Sequence, residues 1–391
     1  MRVLVSTTAG LGHFGPLVPI ARACVAAGHE VVVAAPASFA AQVAAAGFEH
    51  RPFPDAPPEL LGAVFGRVPS LTFEEANAVV VADVFGRLDA QAALPGLADV
   101  IDDEQPDLVL REAAEFGSLV AARAAGVAQA VVAIGLSAMT DHIAHLVAGP
   151  LAELDALAGL AEGTAISTLH SATVLSCVPA LLDGPRPAGD PVAGRVHRFR
   201  DAPPDSRRGA LPPAWGDPAH PLVLVSFGTV AGGVGGVADL YPAVLAALAD
   251  SPVRVLLTTG HGIEAGDLGT VPANAHVEQW WPQADVMPHA AAVVGHGGFG
   301  TTMTALGAGV PQVVVPLFAM DQHINGEHVA AVGAGVHLPG GPADLGLLPG
   351  ALARVLSDTA YRDAARAVRD EMAALPPLTE AVELLERLAG G

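Results

Sequence analysis

The chain has 391 residues, of which 51% are hydrophobic, so it is long enough for two domains that each bury a core of their own. It has 40 acidic and 19 basic residues, all of the basic ones arginine, and a formal net charge of −21 at pH 7. Such an acidic surface repels phosphate backbones and anionic lipids, so we expect neither nucleic acid nor a membrane as a partner.

Cysteine and hydropathy patterns narrow the class further. Cys24 and Cys177 are the only cysteines and lie far apart in the sequence, which argues against a disulfide framework and against a cysteine metal site. No apolar run reaches the roughly 18 residues of a transmembrane helix, and Met1 and Arg2 lead straight into a strand-like segment without a signal peptide. We therefore expect a cytoplasmic protein.

In the first half of the chain, apolar runs alternate with alanine-rich segments of helical length. The predicted strands lie at 2–6, 30–34, 107–110 and 130–134, with helices such as 17–27 and 116–125 between them. The runs are continuous rather than alternating, as is typical of strands buried on both faces of a parallel sheet. The βαβα order predicts a doubly wound α/β domain over residues 1–200. Residues 54–97 and 137–163 are less regular.

The pattern pauses between residues 183 and 218, where Pro, Gly, Asp and Arg crowd together, and we place a linker at 201–217. It restarts with predicted strands at 222–226, 253–257, 291–295 and 312–315, which indicates a second Rossmann-like domain over residues 218–375. The last segment, 379–389, is a predicted amphipathic helix with Val382, Leu385 and Ala389 on one face. That face must dock on another surface.

A glycine-rich segment, His-Gly-Gly-Phe-Gly-Thr at 296–301, directly follows the predicted strand 291–295 and opens a predicted helix. A helix start presents N–H groups and the positive end of the helix dipole, and glycine allows close approach to the backbone. Gly298, Gly300 and Thr301 are therefore candidates for binding a diphosphate, and His296 can donate a further hydrogen bond to it. An ordinary strand-to-helix turn is the alternative.

Aromatic side chains precede this segment. Trp280 and Trp281 stand before Pro282 and Gln283, at the end of a predicted strand that begins near residue 275. An exposed indole can stack on a flat base. A core tryptophan is the alternative, above all for Trp281.

Two further segments carry polar groups. Asp321 and Gln322 follow the predicted strand 312–315 and offer a carboxylate and an amide side by side, which suit the hydroxyls of a sugar. Asp321 could also cap the helix that begins there. Thr229 follows the predicted strand 222–226 in a Ser-Phe-Gly-Thr turn and could bring a hydroxyl to the same phosphates.

The loop after the first strand, at 10–15, reads Gly-Leu-Gly-His-Phe-Gly and so matches the G-x-G-x-x-G pattern of dinucleotide-binding proteins. That cofactor needs an acidic residue at the end of the second strand, where this chain has Ala34, Ala35 and Pro36. The oxidoreductase interpretation is therefore disfavoured. His13 in this loop lies at the carboxyl edge of the predicted sheet, where imidazole can accept a proton from a substrate hydroxyl. A structural loop histidine is the alternative.

The order and spacing of the segments 280–283, 296–301 and 321–322 resemble the donor-binding signature of GT-B glycosyltransferases, most of all the bacterial enzymes that attach deoxysugars to antibiotic aglycones. The resemblance implies two Rossmann-like domains facing across a cleft, the first for the acceptor and the second for the nucleotide sugar. It also implies that a C-terminal helix, 376–391, crosses back to the first domain.

The resemblance also implies roles for individual residues. Trp280 would stack on the base, Trp281 would offer backbone hydrogen bonds, and His13 would be the catalytic base, usually paired with an aspartate at the end of a later strand. Here that strand continues into Glu112 and Glu115 instead. Glu112 is the better candidate to orient His13, although it could instead pair with Arg111 or cap the next helix.

The donor is expected to be a thymidine diphosphate (TDP) sugar. Relatives that use uridine diphosphate sugars carry a ribose-binding glutamate eight residues after the motif histidine, where this chain has Thr304. The loss of that carboxylate suits a 2′-deoxyribose.

The acceptor is expected to be an apolar compound that carries a hydroxyl, because the irregular segments are rich in apolar side chains. The candidate acceptor-binding residues are Phe65, Phe85, Ser137, Met139 and His142. Asp141, His142 and His145 lack a further ligand for zinc, so no metal site is expected.

These observations predict an inverting, metal-independent hexosyltransferase that moves a deoxysugar from a TDP-sugar to a hydroxyl of a hydrophobic natural-product aglycone, with a polyketide antibiotic as the expected class of acceptor. No cofactor beyond the TDP-sugar co-substrate is expected, and the protein would be a monomer or a homodimer. A GT-B sugar-nucleotide epimerase and a non-catalytic glycosyltransferase partner protein are the alternatives.

Overall fold

Two parallel sheets form where the apolar runs of the sequence predict strands. The computed structural model describes residues 1–185, 193–201, 211–228, 239–260 and 263–390. The chain divides into two units: the first contains Met1–Val178, the described part of Arg186–Ala202, and Leu375–Gly391, and the second contains Pro179–Pro185 and the described part of Pro203–Ala374. Residues 179–185 thus belong with the second unit rather than the first, and most of the predicted linker lies outside the described residues.

The first unit holds a seven-stranded parallel sheet with the order β3-β2-β1-β4-β5-β6-β7. Its strands are β1 (Arg2–Ser6), β2 (Glu30–Pro36), β3 (Glu49–Phe53), β4 (Leu108–Glu112), β5 (Ala128–Val132), β6 (Thr173–Ser176) and β7 (Val196–Arg198). Successive strands are added on one side of β1 up to β3, and on its other side from β4 onward. The strand order therefore reverses between β1 and β4, which pair in parallel from Val3↔Leu108 to Ser6↔Arg111. In open α/β sheets, this switch point is where the loops at the carboxyl ends leave room for a ligand.

Helices cover both faces of this sheet. They are α1 (Leu11–Phe14), α2 (Leu17–Ala26), α3 (Ala40–Ala46), α4 (Pro58–Arg67), α5 (Phe73–Val79), α6 (Ala90–Glu104), α7 (Gly117–Ala125), α8 (Ser137–Leu146), α9 (Ala148–Leu157) and α10 (Thr164–Ser171). A π-helical segment, Val80–Asp89, joins α5 to α6. On β1, Val3 and Val5 enter one core cluster while Leu4 enters another, and all three are fully buried. Burial on both faces explains the continuous apolar run.

The second unit holds a six-stranded parallel sheet with the order β10-β9-β8-β11-β12-β13. Its strands are β8 (Leu222–Ser226), β9 (Arg254–Thr258), β10 (Ala275–Glu278), β11 (Ala290–Gly295), β12 (Gln312–Val314) and β13 (Gly335–His337). Here the switch point lies between β8 and β11, whose last residues, Ser226 and Gly295, are paired. The predicted α/β class with two parallel sheets is therefore confirmed.

The helices of the second unit are α11 (Ala180–Asp183), α12 (Leu240–Leu248), α13 (Gln283–Val286), α14 (Phe299–Gly307), α15 (Met320–Ala331), α16 (Leu348–Ser357) and α17 (Thr359–Ala374). The last helix, α18 (Leu378–Ala389), belongs to the first unit. Its Ala381, Val382 and Leu385 are buried in the core cluster that contains Val3 and Val5. The amphipathic pattern at the end of the chain thus closes one face of the first sheet.

Two segments that the sequence marks as less regular, 54–97 and 137–163, are largely helical. Helix α5 begins with a capping box, in which Thr72 accepts a hydrogen bond from the Glu75 N–H and the Glu75 carboxylate accepts one from the Thr72 N–H. This Thr-x-x-Glu spacing is a helix-start signal that can be read from the sequence. Within the described ranges, no helix is long and apolar enough to cross a membrane.

Candidate active site

His13 and Glu112 meet at the switch point of the first sheet. β1 and β4 are hydrogen-bonded neighbours, so the loop after β1 and the end of β4 lie side by side. Glu112 is the last residue of β4, and His13 lies in α1, just beyond the β1 loop. The His13 Nδ1 lies 3.0 Å from the Glu112 Oε1, although 99 residues separate the two.

The Glu112 carboxylate is fully buried and well supplied with donors. Oε1 accepts a hydrogen bond from the Thr8 hydroxyl at 3.1 Å, and Oε2 accepts one from the Ala114 N–H at 2.5 Å. Burial alone would raise the pKa of this carboxyl, but the neighbouring His13 and the hydrogen bonds from His13, Ala114 and Thr8 hold it below its ordinary value. Glu112 is therefore ionised at neutral pH.

An ionised carboxylate only accepts hydrogen bonds, so the Nδ1 of His13 carries the proton of this contact. In neutral imidazole, the basic lone pair then resides on Nε2. The His13 side chain is 23% exposed, so the ring is reachable while its partner is not. This arrangement can hold one tautomer of a general base and stabilise its protonated form.

The alternatives for Glu112 were an ion pair with Arg111 and a cap on the next helix. In the structure, Arg111 donates to backbone carbonyls, and Glu115 lies at the start of that helix. Arg111 is fully buried, and its Nη1 donates to the carbonyl oxygens of Glu112 at 3.2 Å and Glu115 at 3.3 Å. Burial lowers the pKa of Arg111 to about 10, so it stays charged at neutral pH. Glu115 accepts hydrogen bonds from the backbone N–H and the hydroxyl of Ser118 at the start of α7. Glu112, not Glu115, therefore contacts His13.

Phe85, one of the candidate acceptor residues, lies against His13. Their ring centroids are 5.2 Å apart and the rings are tilted by 35°. Phe65 lies on α4 and is 49% exposed, and Met139 packs on the core cluster that contains Leu4. Ser137, Met139 and His142 all lie on α8. Both α4 and α8 pack against the π-helical segment that carries Phe85.

The second candidate region lies at the switch point of the second sheet, where β11 ends at Gly295 and α14 begins at Phe299. Gly298 is the N-cap residue of α14 and no side chain caps this helix start. A Cβ on Gly298 would lie 2.2 Å from the His296 Nε2, and a Cβ on Gly297 would lie 2.5 Å from the Gln322 carbonyl oxygen. These two glycines are therefore required by close packing of the loop, whereas a Cβ on Gly300 would meet nothing within 4 Å.

The His296 ring lies close to Gly228 and Gly298. Burial lowers its pKa to about 4, against a smaller opposing effect of a hydrogen bond with the Ser226 backbone. The ring is therefore neutral at physiological pH. Its Nδ1 is buried and has no hydrogen-bond partner among the described residues. A neutral imidazole with one unused nitrogen can exchange a hydrogen bond with a ligand but brings no charge to it.

Trp280 and Trp281 have different environments. Trp280 is 61% exposed, whereas Trp281 packs on a core cluster of the second unit. The Gln283 Nε2 donates to the Thr301 hydroxyl at 3.0 Å. This bond ties the tryptophan segment to the first turn of α14, and Thr301 itself is buried. The exposed indole of Trp280 is available for stacking on a ligand.

Asp321 and Gln322 lie in the first turn of α15. Asp321 is half-buried, and the helix has Ala319 as its N-cap without a side-chain capping bond. Gln322 is buried, and its Oε1 accepts hydrogen bonds from the N–H groups of Leu317 at 2.8 Å and Phe318 at 3.2 Å. The amide oxygen of Gln322 thus holds the preceding loop. Thr229 lies outside the described residues.

Comparison with known proteins bears on both regions. Residues 243–388 match the family model described as Erythromycin biosynthesis protein CIII-like, C-terminal domain. The chain is 32% identical to an L-demethylnoviosyl transferase of Streptomyces niveus, over 96% of this chain and 95% of that one. It is 33% identical to the elloramycin glycosyltransferase of Streptomyces olivaceus, over 96% and 94% of the two chains.

The chain belongs to the antibiotic glycosyltransferase family. Among solved structures, this glycosyltransferase resembles SsfS6 from Streptomyces sp. SF2575, complexed with thymidine diphosphate, with a TM-score of 0.74 and 26% identity over 99% of both chains. The fold is GT-B, as the resemblance in the donor segments implies, and the predicted family is confirmed.

One buried residue of the glycosyltransferase was not singled out from its sequence, and the structural role of another was not foreseen. The Asn325 Nδ2 donates to the Gly297 carbonyl at 2.7 Å and is buried, so it fixes the loop before α14. Arg111, considered only as a partner of Glu112, orders the turn after β4. A buried amide one turn after Gln322 on a polar helix is a signal that could have identified Asn325.

The three side chains Asp141, His142 and His145 do not form a metal site with any described residue. Across the described ranges, no three His, Cys, Asp or Glu side chains are grouped closely enough to bind a metal ion.

Thr304 lies on α14, where its hydroxyl donates to the Gly300 carbonyl at 2.8 Å.

Proposed function

We propose that this glycosyltransferase moves a deoxysugar from a TDP-sugar to a hydroxyl of a hydrophobic natural-product aglycone, with inversion at the anomeric carbon. The observation that carries the proposal is the buried, ionised Glu112 held against His13. This pair supports a general base on the acceptor side, and the uncapped start of α14 supports a diphosphate site on the donor side.

In the proposed reaction, the His13 Nε2 takes the proton of the acceptor hydroxyl as its oxygen attacks the anomeric carbon. The carbon–oxygen bond to the diphosphate breaks, and TDP leaves with the bonding electron pair. Glu112 keeps the proton-bearing Nδ1 oriented and stabilises the imidazolium that forms. A single displacement of this kind inverts the anomeric configuration.

The departing diphosphate is proposed to bind at the start of α14. The N–H groups of the first turn and the helix dipole favour a negative ligand. His296 would add a hydrogen bond rather than a charge, because burial keeps its ring neutral. Since these groups stabilise the leaving group directly, we propose that no metal ion is needed, and transfer should persist in excess EDTA.

The nucleotide is proposed to be a thymidine diphosphate. Trp280 offers an exposed indole for the base, and Thr304 leaves no carboxylate for a ribose 2′-hydroxyl. The related SsfS6 has been solved in complex with thymidine diphosphate, which supports the same nucleotide here. Calorimetric titration should give tighter binding of TDP than of UDP, and the reverse order would overturn this part of the proposal.

The acceptor is proposed to be a large apolar molecule. Phe85 lies next to the proposed catalytic base, His13, and the neighbouring helices carry Phe65, Ser137, Met139 and His142. A related protein of Streptomyces fradiae, 31% identical over 99% of this chain, is a tylactone mycaminosyltransferase. Such names support a polyketide or similar aglycone.

Incubation of the purified protein with a panel of TDP-deoxysugars and hydrophobic aglycones, followed by mass spectrometry, tests the proposal. A glycoside accompanied by free TDP is expected. A changed sugar nucleotide without glycoside would indicate an epimerase, and no turnover despite TDP binding would favour a non-catalytic partner protein.

A further inference from the structure

The π-helical segment Val80–Asp89 approaches the His13–Glu112 pair from a separate element of the first unit. Its Phe85 ring lies 5.2 Å from the His13 ring, centroid to centroid. π-Helical turns are rare and are frequent at functional sites. A ten-residue run of this geometry beside the proposed base is therefore unusual.

Asp89 ends this segment, four residues after Phe85. With i→i+5 hydrogen bonds, a residue four positions later lies almost one full turn further, hence on the same side as Phe85. Asp89 is the N-cap residue of α6 but its carboxylate makes no capping hydrogen bond. The side chain of Asp89 is partly buried. Because it makes no capping bond, helix capping does not explain why a carboxylate lies there.

The charged groups around Asp89 come from several elements. It interacts electrostatically with His13 on α1, Glu112 at the end of β4, Glu115 before α7, and Asp55 after β3. Burial is the main reason that its pKa is raised to about 6, and His13 opposes this effect. On its own segment, Asp83 is engaged by Arg67 and Arg87.

The charged groups around His13 indicate what the Asp89 carboxylate can do. Arg111 is buried and interacts with Glu115 and with Glu112, so its positive charge offsets part of the negative charge of these two carboxylates. Burial also raises the pKa of Glu115, whose carboxylate accepts hydrogen bonds from Ser118. Asp89 adds a further carboxylate to the groups that interact electrostatically with His13.

We propose that Asp89 is a positioning residue that acts through His13, as a second carboxylate whose charge stabilises the imidazolium formed when His13 accepts a proton. Glu112 orients the ring through a hydrogen bond, whereas Asp89 acts through its charge. The effect on the proton affinity of His13 is a property of the free protein. Its effect on catalysis rests on the proposed function, in which His13 is the base.

The test is an NMR titration of the full-length protein with ¹³C-labelled histidine, in which the His13 signal is assigned by its loss in His13→Gln. In Asp89→Asn, the His13 titration midpoint should fall by roughly half a pH unit or more, because a nearby negative charge favours the protonated form. Asp89→Glu should keep a midpoint near that of the wild type. Asp83→Asn is the matched control, since it removes the same charge from the same segment next to arginines.

An Asp89→Asn midpoint within about 0.2 pH unit of the wild type would overturn the proposal, as would an equal fall in Asp83→Asn. Asparagine is nearly isosteric and removes a charge that burial disfavours, so the variant should fold. Should it fail to do so, Asp89→Ser gives the same test. In TDP-sugar transfer, the acidic limb of kcat/KM should move to lower pH with the NMR midpoint. A shifted midpoint in a protein that transfers no sugar would refute the proposed function and leave this inference intact.

Discussion

Replacing Gly300 with alanine should stabilise the fold and, at the same time, weaken nucleotide binding. Gly300 is the second residue of α14, is exposed, and has open space around the position of an added Cβ. Its φ is not in the left-handed region. Alanine is favoured over glycine in a helix by about 0.5–1 kcal/mol, so the free energy of unfolding should rise by up to about that amount.

The expected effect on binding has the opposite sign. If the diphosphate lies against the N–H groups at the start of α14, a methyl group at position 300 occupies the space it needs. Hydrogen bonds to a charged group contribute about 1.5–3 kcal/mol each. Losing or lengthening one of them should therefore weaken TDP binding by about one to two orders of magnitude.

Gly350→Ala is the matched control. Gly350 lies in the first turn of α16, is also exposed, and a Cβ there would also meet nothing within 4 Å. Both variants should raise the melting temperature by about 1–4 °C. Calorimetric titration with TDP should separate them, since only Gly300→Ala should bind weakly. If Gly300→Ala bound TDP within about twofold of the wild type, the diphosphate would not bind at this helix start.

Three further changes test other parts of the account. Trp280→Ala should weaken TDP binding by about 1–3 kcal/mol, the usual worth of stacking on a base, without lowering the melting temperature, because the ring is 61% exposed; unchanged affinity would exclude stacking. The pKa of His296 is about 4 in the folded protein and 6.5 for an unperturbed histidine, as in the unfolded chain. Between these two pH values the unfolded chain therefore binds one more proton than the folded protein. Up to about 3 kcal/mol of stability should be lost as pH falls from 6.5 to 4. In urea unfolding at several pH values, His296→Gln should lose less over this interval, and equal losses would contradict the burial of a neutral ring. Thr304→Glu should improve UDP binding relative to TDP by about tenfold in competitive titrations, and an unchanged preference would remove the basis for the TDP assignment.

Much of the fold could be predicted because burial on both faces leaves a direct record in the sequence. β1 and β8 are continuous apolar runs, and both are central strands of their sheets. β3 was not predicted, because this edge strand, Glu49–Phe53, carries Glu, His and Arg and is only partly buried. Helices α4 and α5 were missed for a different reason, since they pack mainly on the neighbouring π-helical segment rather than on the sheet.

The sequence indicated which residues belong to the candidate site, but it did not indicate which hydrogen bonds they make. The order of motifs places His13 and Glu112 at strand ends, but their hydrogen bond depends on β1 and β4 being neighbours. Gln322 is predicted to bind a sugar, and the sequence did not indicate that its amide oxygen accepts hydrogen bonds from the N–H groups of Leu317 and Phe318. Such contacts depend on loop conformation, which local sequence does not specify.

Asp89 shows the same limit more clearly. The sequence marks its surroundings, residues 54–97, only as less regular, whereas the structure places Asp89 on the π-helical segment that also carries Phe85. The charge environment of His13 arises from elements that are far apart in the chain, so it emerges only when the sheet is assembled.

The most direct test of the central claim is steady-state transfer from a TDP-sugar by His13→Ala, with TDP affinity and melting temperature measured on the same preparation. The rate should fall by about 10²–10⁴, the usual contribution of a general base, while TDP affinity stays near the wild-type value and the variant remains folded, with a lower melting temperature because the buried Glu112 loses a hydrogen-bond donor. Transfer at the wild-type rate would contradict the assignment of His13 as the base.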